Sequence, residues 1–406
     1  MMRFLFSVMV FLGLSWQGLF SDIVYVSDSA GSTVSVIETT SNTLITTIPV
    51  GSSPRSISFT PDGRFAYVAN NGDDTVSVID ASINTVIATV PVGADPIGIG
   101  VNPNGNFVYV LNSTGDTISV ISTATNTVVD TFLIGDAPGR VGYLPDGSRA
   151  YVGTLNDSMF VVIDAIANSV ITKVPVGSDP TGVAVTPDGR FAYVVNASDG
   201  TYDVLDTATN TLLPGSPFGA FGNGNGGIAI TPDGQFAYIT GVNDVNVFTV
   251  ATNTIFASIF VGESFELMEI AFTNDGSLAY VADSHGTVVT IDVVTNTVIN
   301  TLDIGGSPFG VGVQPATFGL RGVAKKNSFL TETNIFNELT WTAPILITAQ
   351  SYRVFRDGVL IATVPATQFS FKDNNLKRKQ THNYVVIADG LSGASAAAFV
   401  TVRTKS

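Results

Sequence analysis

Between residues 96 and 135 the chain reads PIGIGVNPNGNFVYVLNSTGDTISVISTATNTVVDTFLIG, four short apolar runs separated by turn-forming letters. The runs are too short for helices, and their Val, Ile, Phe and Tyr content predicts β-strands bounded by PNG, a Gly/Asp cluster and TNT turns. Apolar residues fill each run instead of alternating with polar ones, so both faces of the predicted sheets are buried. The same phrase then returns, as PDGRFAYVAN from Pro61 and PDGRFAYVVN from Pro187. Its tyrosine falls at Tyr25, Tyr67, Tyr109, Tyr151, Tyr193, Tyr238 and Tyr280, in steps of 42, 42, 42, 42, 45 and 42. The asparagine of the TNT-like turn falls at Asn42, Asn84, Asn126, Asn168, Asn210, Asn253 and Asn296, in steps of 42, 42, 42, 42, 43 and 43. Two markers in step over seven copies define a repeat architecture.

Four antiparallel strands per period of about 42 residues predict a propeller blade, which has two apolar faces and must stack on neighbours to bury them. The array opens in mid-blade with DIVYVSD and stops in mid-blade with PFGVGVQP at Pro308 to Pro315. The orphan last strand is the innermost one that the first blade lacks, so it is expected to close the ring and remove two open edges. The expected fold is therefore all-β: a leader over residues 1–21, a seven-bladed β-propeller of four-stranded blades over 22–316, and a β-sandwich over 320–406. The phrases FAYVAN, TVSVID and VIATVPVG with PDG resemble the YVTN family of seven-bladed propellers, related in architecture to surface-layer and NHL-type propellers. That resemblance covers about Ile23 to Pro315 and implies a fold; a fold does not fix a function.

After residue 319 the repeat stops, and NELTWTAP, SYRVFRDGVLIATVP, FSFKD and THNYVVIADGLSGAS follow as strands of a different kind. This part resembles a fibronectin type III sandwich over about Leu320 to Thr404. The resemblance implies Trp341 as a core aromatic and Tyr384 as a corner tyrosine. No RGD is present, so integrin-type recognition is not implied.

Only 13% of residues are charged and the mean hydropathy is +0.36. After the N-terminal segment, however, no apolar run approaches the roughly 20 residues of a spanning helix. The segment MMRFLFSVMVFLGLSWQGLFSD, with Arg3 followed by an apolar stretch from Phe4 to Leu14, reads as a secretory leader. The expected location is thus outside the cytoplasm, in the bacterial periplasm, at the cell surface or beyond it. Cysteine is absent, which excludes disulfides, thiol chemistry and haem attachment through cysteine. Residues 22–319 carry a net charge of −22 and residues 320–406 a net of +6. An acidic ring repels nucleic acid and anionic lipid, while the basic LKRK at Leu376 to Lys379 reads as a solvated hairpin or a contact for an anionic polymer.

Candidate chemistry lies where the copies break their own pattern. The acidic hairpins, such as NNGDDT at Asn70 to Thr75, lack the spacing of a calcium loop, and GNGNGG at Gly222 to Gly227 opens a strand where a phosphate cradle needs a helix. The loops leading from each outermost strand to the next innermost strand line one mouth of the central channel, and most read VGxxPxG. The fifth is lengthened to PFGAFGNGNGG. The sixth, VGESFELMEIAF, holds Glu263, Glu266 and Glu269, three of the four glutamates in the ring. Arg55 and Arg140 replace small residues on entering strands, and His285 is the only histidine of the ring. Such a set fits a salt-bridged rim, a site for a polar ligand, or acid–base chemistry resting on carboxylates. The residues favour a non-enzymatic binding or adhesion protein, monomeric, with a protein or carbohydrate ligand and without nucleic acid, metal or cofactor. The alternatives are a lactonase-type propeller hydrolase, whose catalytic residues do not match here position by position, and a structural surface-layer component.

Overall fold

The computed structural model describes residues 22–219, 226–263 and 266–315, followed by 320–328, 333–341, 349–356, 359–374, 376, 381–390 and 395–403. Residues 1–21, expected to be a leader, the lengthened fifth loop at 220–225, the Trp341 side chain and the basic residues 377–379 lie outside the described residues and side chains.

Seven four-stranded antiparallel sheets follow one another along the chain. Blade 1 contains β1 (Ile23–Asp28), β2 (Thr33–Glu38) and β3 (Thr43–Pro49), and takes its innermost strand from the far end of the repeat, β28 (Pro308–Val313). Blade 2 runs β4 (Pro54–Phe59), β5 (Phe65–Asn70), β6 (Thr75–Asp80) and β7 (Thr85–Pro91) from the axis outward. Blades 3 to 7 repeat this order as β8–β11 (residues 96–133), β12–β15 (138–175), β16–β19 (180–212), β20–β23 (228–260) and β24–β27 (267–303). Contacts between successive innermost strands form an unbroken cycle that returns from blade 7 through β28 to blade 2. Blade 5 departs from the expected pattern. Its outermost strand shrinks to Thr211–Leu212, and the chain then returns through a Tyr202–Phe218 bridge.

The core lies between blades, as sheets with two apolar faces require. One cluster joins Tyr25, Val34 and Val36 of blade 1 to Ile57, Ala66 and Val68 of blade 2, and another joins Val24 and Val26 to Tyr280 and Ala282 of blade 7. The seven repeat tyrosines are no more than 1% exposed. Burying a phenol creates a demand for a hydrogen-bond partner. The TNT turn of the next blade meets it. Its asparagine sits at φ between 49 and 55° in all seven copies, a left-handed conformation that Asn tolerates. The Tyr67 hydroxyl donates to Asn126 Oδ1 at 2.7 Å, Tyr109 to Asn168 at 2.5 Å, Tyr193 to Asn253 at 2.9 Å, Tyr238 to Asn296 at 2.5 Å and Tyr280 to Asn42 at 2.5 Å, with Tyr25 bonded likewise to Asn84. Between blades 4 and 5 the device changes, and Arg149 Nη1 donates to the Thr207 carbonyl at 2.7 Å instead.

Around the axis the blades approach backbone to backbone. A Cβ on Gly98 would lie 2.1 Å from the Gly139 carbonyl oxygen, and one on Gly182 would lie 1.8 Å from that of Gly226, so only glycine fits at these two positions. Closure rests on more than the β1–β28 ladder, which pairs Val24 with Val313 and Tyr25 with Gly312. Gly310 N donates to Ser27 Oγ at 2.8 Å, Ser307 N to Asp28 Oδ1 at 2.7 Å, and Asn274 of blade 7 to both carboxylate oxygens of Asp22 at 2.8 and 2.9 Å.

The C-terminal strands form a three-stranded sheet, β29 (Leu320–Ser328), β30 (Thr333–Trp341) and β33 (Ser370–Asp373), and a four-stranded one. The latter runs β32 (Val359–Pro365), β31 (Ala349–Arg356), β34 (Thr381–Gly390), β35 (Ser395–Arg403). Arg356 Nη1 bonds both oxygens of Asp373 at 2.9 and 3.0 Å and the buried Tyr384 hydroxyl donates to the same carboxylate at 2.6 Å, tying one sheet to the other.

Two outcomes are expected. Deleting residues 306–315 removes the innermost strand of blade 1 and exposes its apolar edge, so the truncated chain should aggregate and lose its cooperative melt; a monomer with an unchanged melting temperature would refute the closure. The second concerns alkali. Burial, reinforced by the charges of Asp233 and Asp292, pushes the Tyr238 hydroxyl from 10.0 up to about 12, and burial does the same for Tyr280 although a bond from Thr290 opposes it. A folded-state pKa above the unfolded value gives stability that is complete below pH 10.0 and is lost as pH rises toward about 12. Circular dichroism and tyrosinate absorbance recorded together should therefore change in one step within that window, and ionisation of the tyrosines ahead of unfolding would contradict it.

Candidate functional site

The innermost strands share a pattern in which the second residue after the leading proline is glycine: Gly98, Gly182 and Gly310. In three blades that position holds Ser56, Arg140 or Glu269. Each of these strands enters through a β-bulge, where the ladder jumps from Pro54↔Asn70 to Ile57↔Val68, from Pro138↔Thr154 to Val141↔Val152, and from Leu267↔Asp283 to Ile270↔Val281. A bulge takes residues out of the pleat and re-aims their side chains.

These side chains meet inside the ring. Arg140 Nε donates to Glu269 Oε1 at 2.8 Å, joining blade 4 to blade 7 across the lumen, since two blades intervene on one side and three on the other. Ser56 Oγ of blade 2 donates to the same oxygen, and Val311 N of blade 1 donates to Glu269 Oε2 at 3.2 Å. Three donors from three blades thus converge on one carboxylate. The Arg140 and Glu269 side chains are only 15% and 13% exposed. Phe309 of β28 forms a platform beneath two guanidinium groups, with Arg55 Cζ at 4.5 Å and Arg140 Cζ at 5.6 Å from its ring centre. Both distances lie within cation–π range.

Arg55 differs from Arg140 in having no carboxylate at ion-pair distance among the described residues. Its Nε is buried without a hydrogen-bond partner among them. Burial pulls its pKa below the ordinary guanidinium value; the charge of Asp95 opposes this and that of Arg140 adds to it. Two guanidinium groups and one carboxylate leave the lumen cluster with one positive charge in excess, inside a ring whose net charge is −22. Chemically, this arrangement is suited to an anion: Glu269 is saturated by donors, whereas Arg55 offers unused ones over an aromatic face.

Of the residues singled out from sequence, Arg55, Arg140 and Glu269 come together in the lumen. Glu266 does not join them. It is exposed at the rim, where Ser284 Oγ donates to its Oε2 at 2.8 Å and its own backbone N–H donates to Asp283 Oδ1 at 2.8 Å. His285 Nδ1 lies 3.2 Å from Asp283 Oδ1, with the imidazole side chain 59% exposed and the aspartate 1%. Glu263 is exposed on the entry loop. Ser56, Phe309 and Asp283 escaped the sequence reading. Phe309 carried a signal: PFG stands where the neighbouring copies place a non-aromatic residue between Pro and Gly, in PIG at 96–98 and PTG at 180–182. Among the described residues no group of three or more His, Cys, Asp or Glu side chains is arranged to hold a metal ion, and no helix is long and apolar enough to cross a membrane.

The pair spanning the lumen predicts an asymmetry in stability. Glu269→Ala leaves Arg140 buried beside Arg55 without a counter-charge and should cost about 3–5 kcal/mol in denaturant unfolding. Asp157→Ala, which breaks the surface pair to Lys173 with side chains 37% and 32% exposed, should stay within about 1 kcal/mol. Equal losses in the two variants would mean that the lumen pair is no more consequential than a surface one.

A family model described as Lactonase, 7-bladed beta-propeller matches residues 21–137. No curated protein matches the chain. Solved structures similar to it include Kuenenia stuttgartiensis hydrazine synthase, at 23% identity and TM-score 0.57 over 69% of this chain and 91% of that one. A functionally unknown protein from Desulfotomaculum acetoxidans aligns at 16% identity and TM-score 0.64, over 72% and 99%. The dihydro-heme d1 dehydrogenase NirN aligns at 15% identity and TM-score 0.52, over 71% and 74%. At these identities the likeness is one of fold, and the chain carries a seven-bladed β-propeller with a lactonase-type family match over its first blades.

Proposed function

We propose that this chain is an exported, non-enzymatic binding protein that receives an anionic group, carboxylate or phosphate, in the lumen of its propeller. The observation that carries the reading is the unpaired Arg55 guanidinium over Phe309, held beside an Arg140–Glu269 pair that the fold does not need. Glycine serves at the equivalent position in other blades, and a buried ion pair is weak evidence for stability. Charges placed there are therefore explained by recognition. The leader-like N-terminus supports export to the envelope or beyond, and the strands after residue 319 act as a fibronectin-like spacer displaying the ring.

A second reading, a propeller hydrolase of small lactones, is favoured by the family match and by the His285–Asp283 pair, in which a buried carboxylate orients a solvent-facing imidazole. One set of measurements separates the two. Chain 22–406 is titrated calorimetrically with oligogalacturonate and with neutral maltooligosaccharides, and assayed for hydrolysis of δ-valerolactone and gluconolactone. Binding of the acidic oligomer alone, weakened about tenfold or more by Arg55→Gln and spared by the double change Asp73→Asn with Asp74→Asn, is expected. Equal loss in both variants would assign binding to the general field of the ring. Lactone turnover abolished by His285→Gln would establish the hydrolase in its place.

A further inference from the structure

A cleft of about 370 Å³ opens between blades 6 and 7, on their flank and outside the lumen. Its walls include Phe236, Phe256 and Val294, with Asp233, Asp275 and Asn296 at its polar edge. The next interblade gap, between blades 7 and 1, holds a sister cleft of about 360 Å³. Leu278 and Ile299 there stand where the first has Phe236 and Phe256, and Asn42 stands for Asn296. Asp275 lines both clefts, and the sister's other carboxylate, Asp22, accepts from Asn274 on both oxygens, so the repeat supplies a comparison in which the rings are what changes.

Phe256 is the extra residue of a bulge in β23 (Thr254–Phe260), between the pairs Val247↔Ala257 and Phe248↔Ile255. Ile45, Ile87, Val129, Ile171 and Ile299 take that place in other blades. Blade 6 alone puts an aromatic ring there. It leaves the ring 57% exposed, with its centre 4.7 Å from that of Phe236. Phe236 is half-buried against the core between blades 6 and 7, so the exposed ring of Phe256 is the one that does not serve the core.

The carboxylates are the second observation. Among the described residues the hydrogen bonds to Asp233 and Asp275 fall on Oδ1: from Gln235 N at 3.0 Å and Thr231 Oγ1 at 2.6 Å in one, and from Ser277 N at 3.0 Å, Ser277 Oγ at 2.8 Å and Thr273 Oγ1 at 2.8 Å in the other. No Lys, Arg or His lies at ion-pair distance from either among the described residues. Two uncompensated carboxylates beside two ring faces attract a cation through both charge and quadrupole; a neutral sugar can donate hydrogen bonds to the carboxylates but leaves their charge unneutralised.

We propose that this cleft binds a small organic cation, an ammonium or guanidinium group on an apolar stem, with the stem against Phe236 and Phe256 and the charged head between Asp233 and Asp275. The volume sits at the small end of ligand sites, roughly 300–1,000 Å³, and so selects a free small molecule over a folded partner. This site is independent of the lumen and stands or falls separately from the function proposed above.

The test is a titration of isotopically labelled chain 22–406 with phenethylammonium, its neutral isostere 2-phenylethanol, and methyl glucoside, read by NMR at the Asn296 and Asn42 side-chain amides. Phenethylammonium should shift Asn296 saturably and leave Asn42 in place. Phe256→Ile and Asp233→Asn should each weaken it by about threefold to tenfold. Both substitutions occur naturally within the repeat: Ile299 holds the bulge in blade 7, and Asn104 holds the aspartate's turn position in blade 3, where its Oδ1 accepts from Asn106 N at 2.9 Å. Both variants are therefore expected to fold. An alcohol or glucoside binding as tightly as the amine, equal shifts at Asn42, affinity unchanged in both variants, or no saturable shift would each overturn the proposal.

Discussion

The architecture depends on one contact repeated around the ring, a buried tyrosine hydroxyl donating to the turn asparagine of the following blade. Tyrosine brings the area that makes a two-faced sheet cohere with its neighbour, but it brings a phenol that must be bonded. The asparagine satisfies it while occupying a left-handed position that most side chains resist. Each partner thus solves the other's local problem. In six of the seven interfaces the bond runs from one blade to the next and fixes their spacing and relative orientation; between blades 4 and 5 the bond from Arg149 to the Thr207 carbonyl takes that place.

This contact explains why the repeat was legible. Tyrosine and asparagine recur in step because they touch, as Tyr67 does Asn126 and Tyr238 does Asn296. Blade number and ring closure were readable for the same reason: a half-blade at each end leaves β1 and β28 as the only partners that complete a sheet. The shortened outermost strand of blade 5 was not readable, because the run after Thr211 keeps apolar letters while Pro214 and Gly215 divert it from the ladder.

The site was legible only in part, and the division has a physical basis. Departures from the repeat marked Arg55, Arg140 and Glu269, but a sequence pattern cannot tell which departures reach the axis. That depends on the entry bulges, which send Glu269 into the lumen while Glu266, three residues earlier, stays at the rim with Ser284. Phe309 belongs to the closing strand, where an apolar letter satisfies the strand pattern without revealing that its ring lies under two guanidinium groups. Phe256 was hidden differently. An aromatic letter in a strand reads as core, and only the bulge reveals that this one faces outward.

The pairing of Val24 with Val313 has a further consequence, for the order of events during synthesis. Blade 1 emerges first and is completed last, so its inner edge waits unpaired until nearly the whole repeat has been made. Closure is the most non-local step of folding and bears the largest loop-closure entropy, which makes it late and slow relative to the formation of hairpins within each blade. A chain arrested anywhere before residue 308 therefore lacks the strand that completes blade 1, and the last strand of the repeat acts as a built-in check that the ring has been made in full.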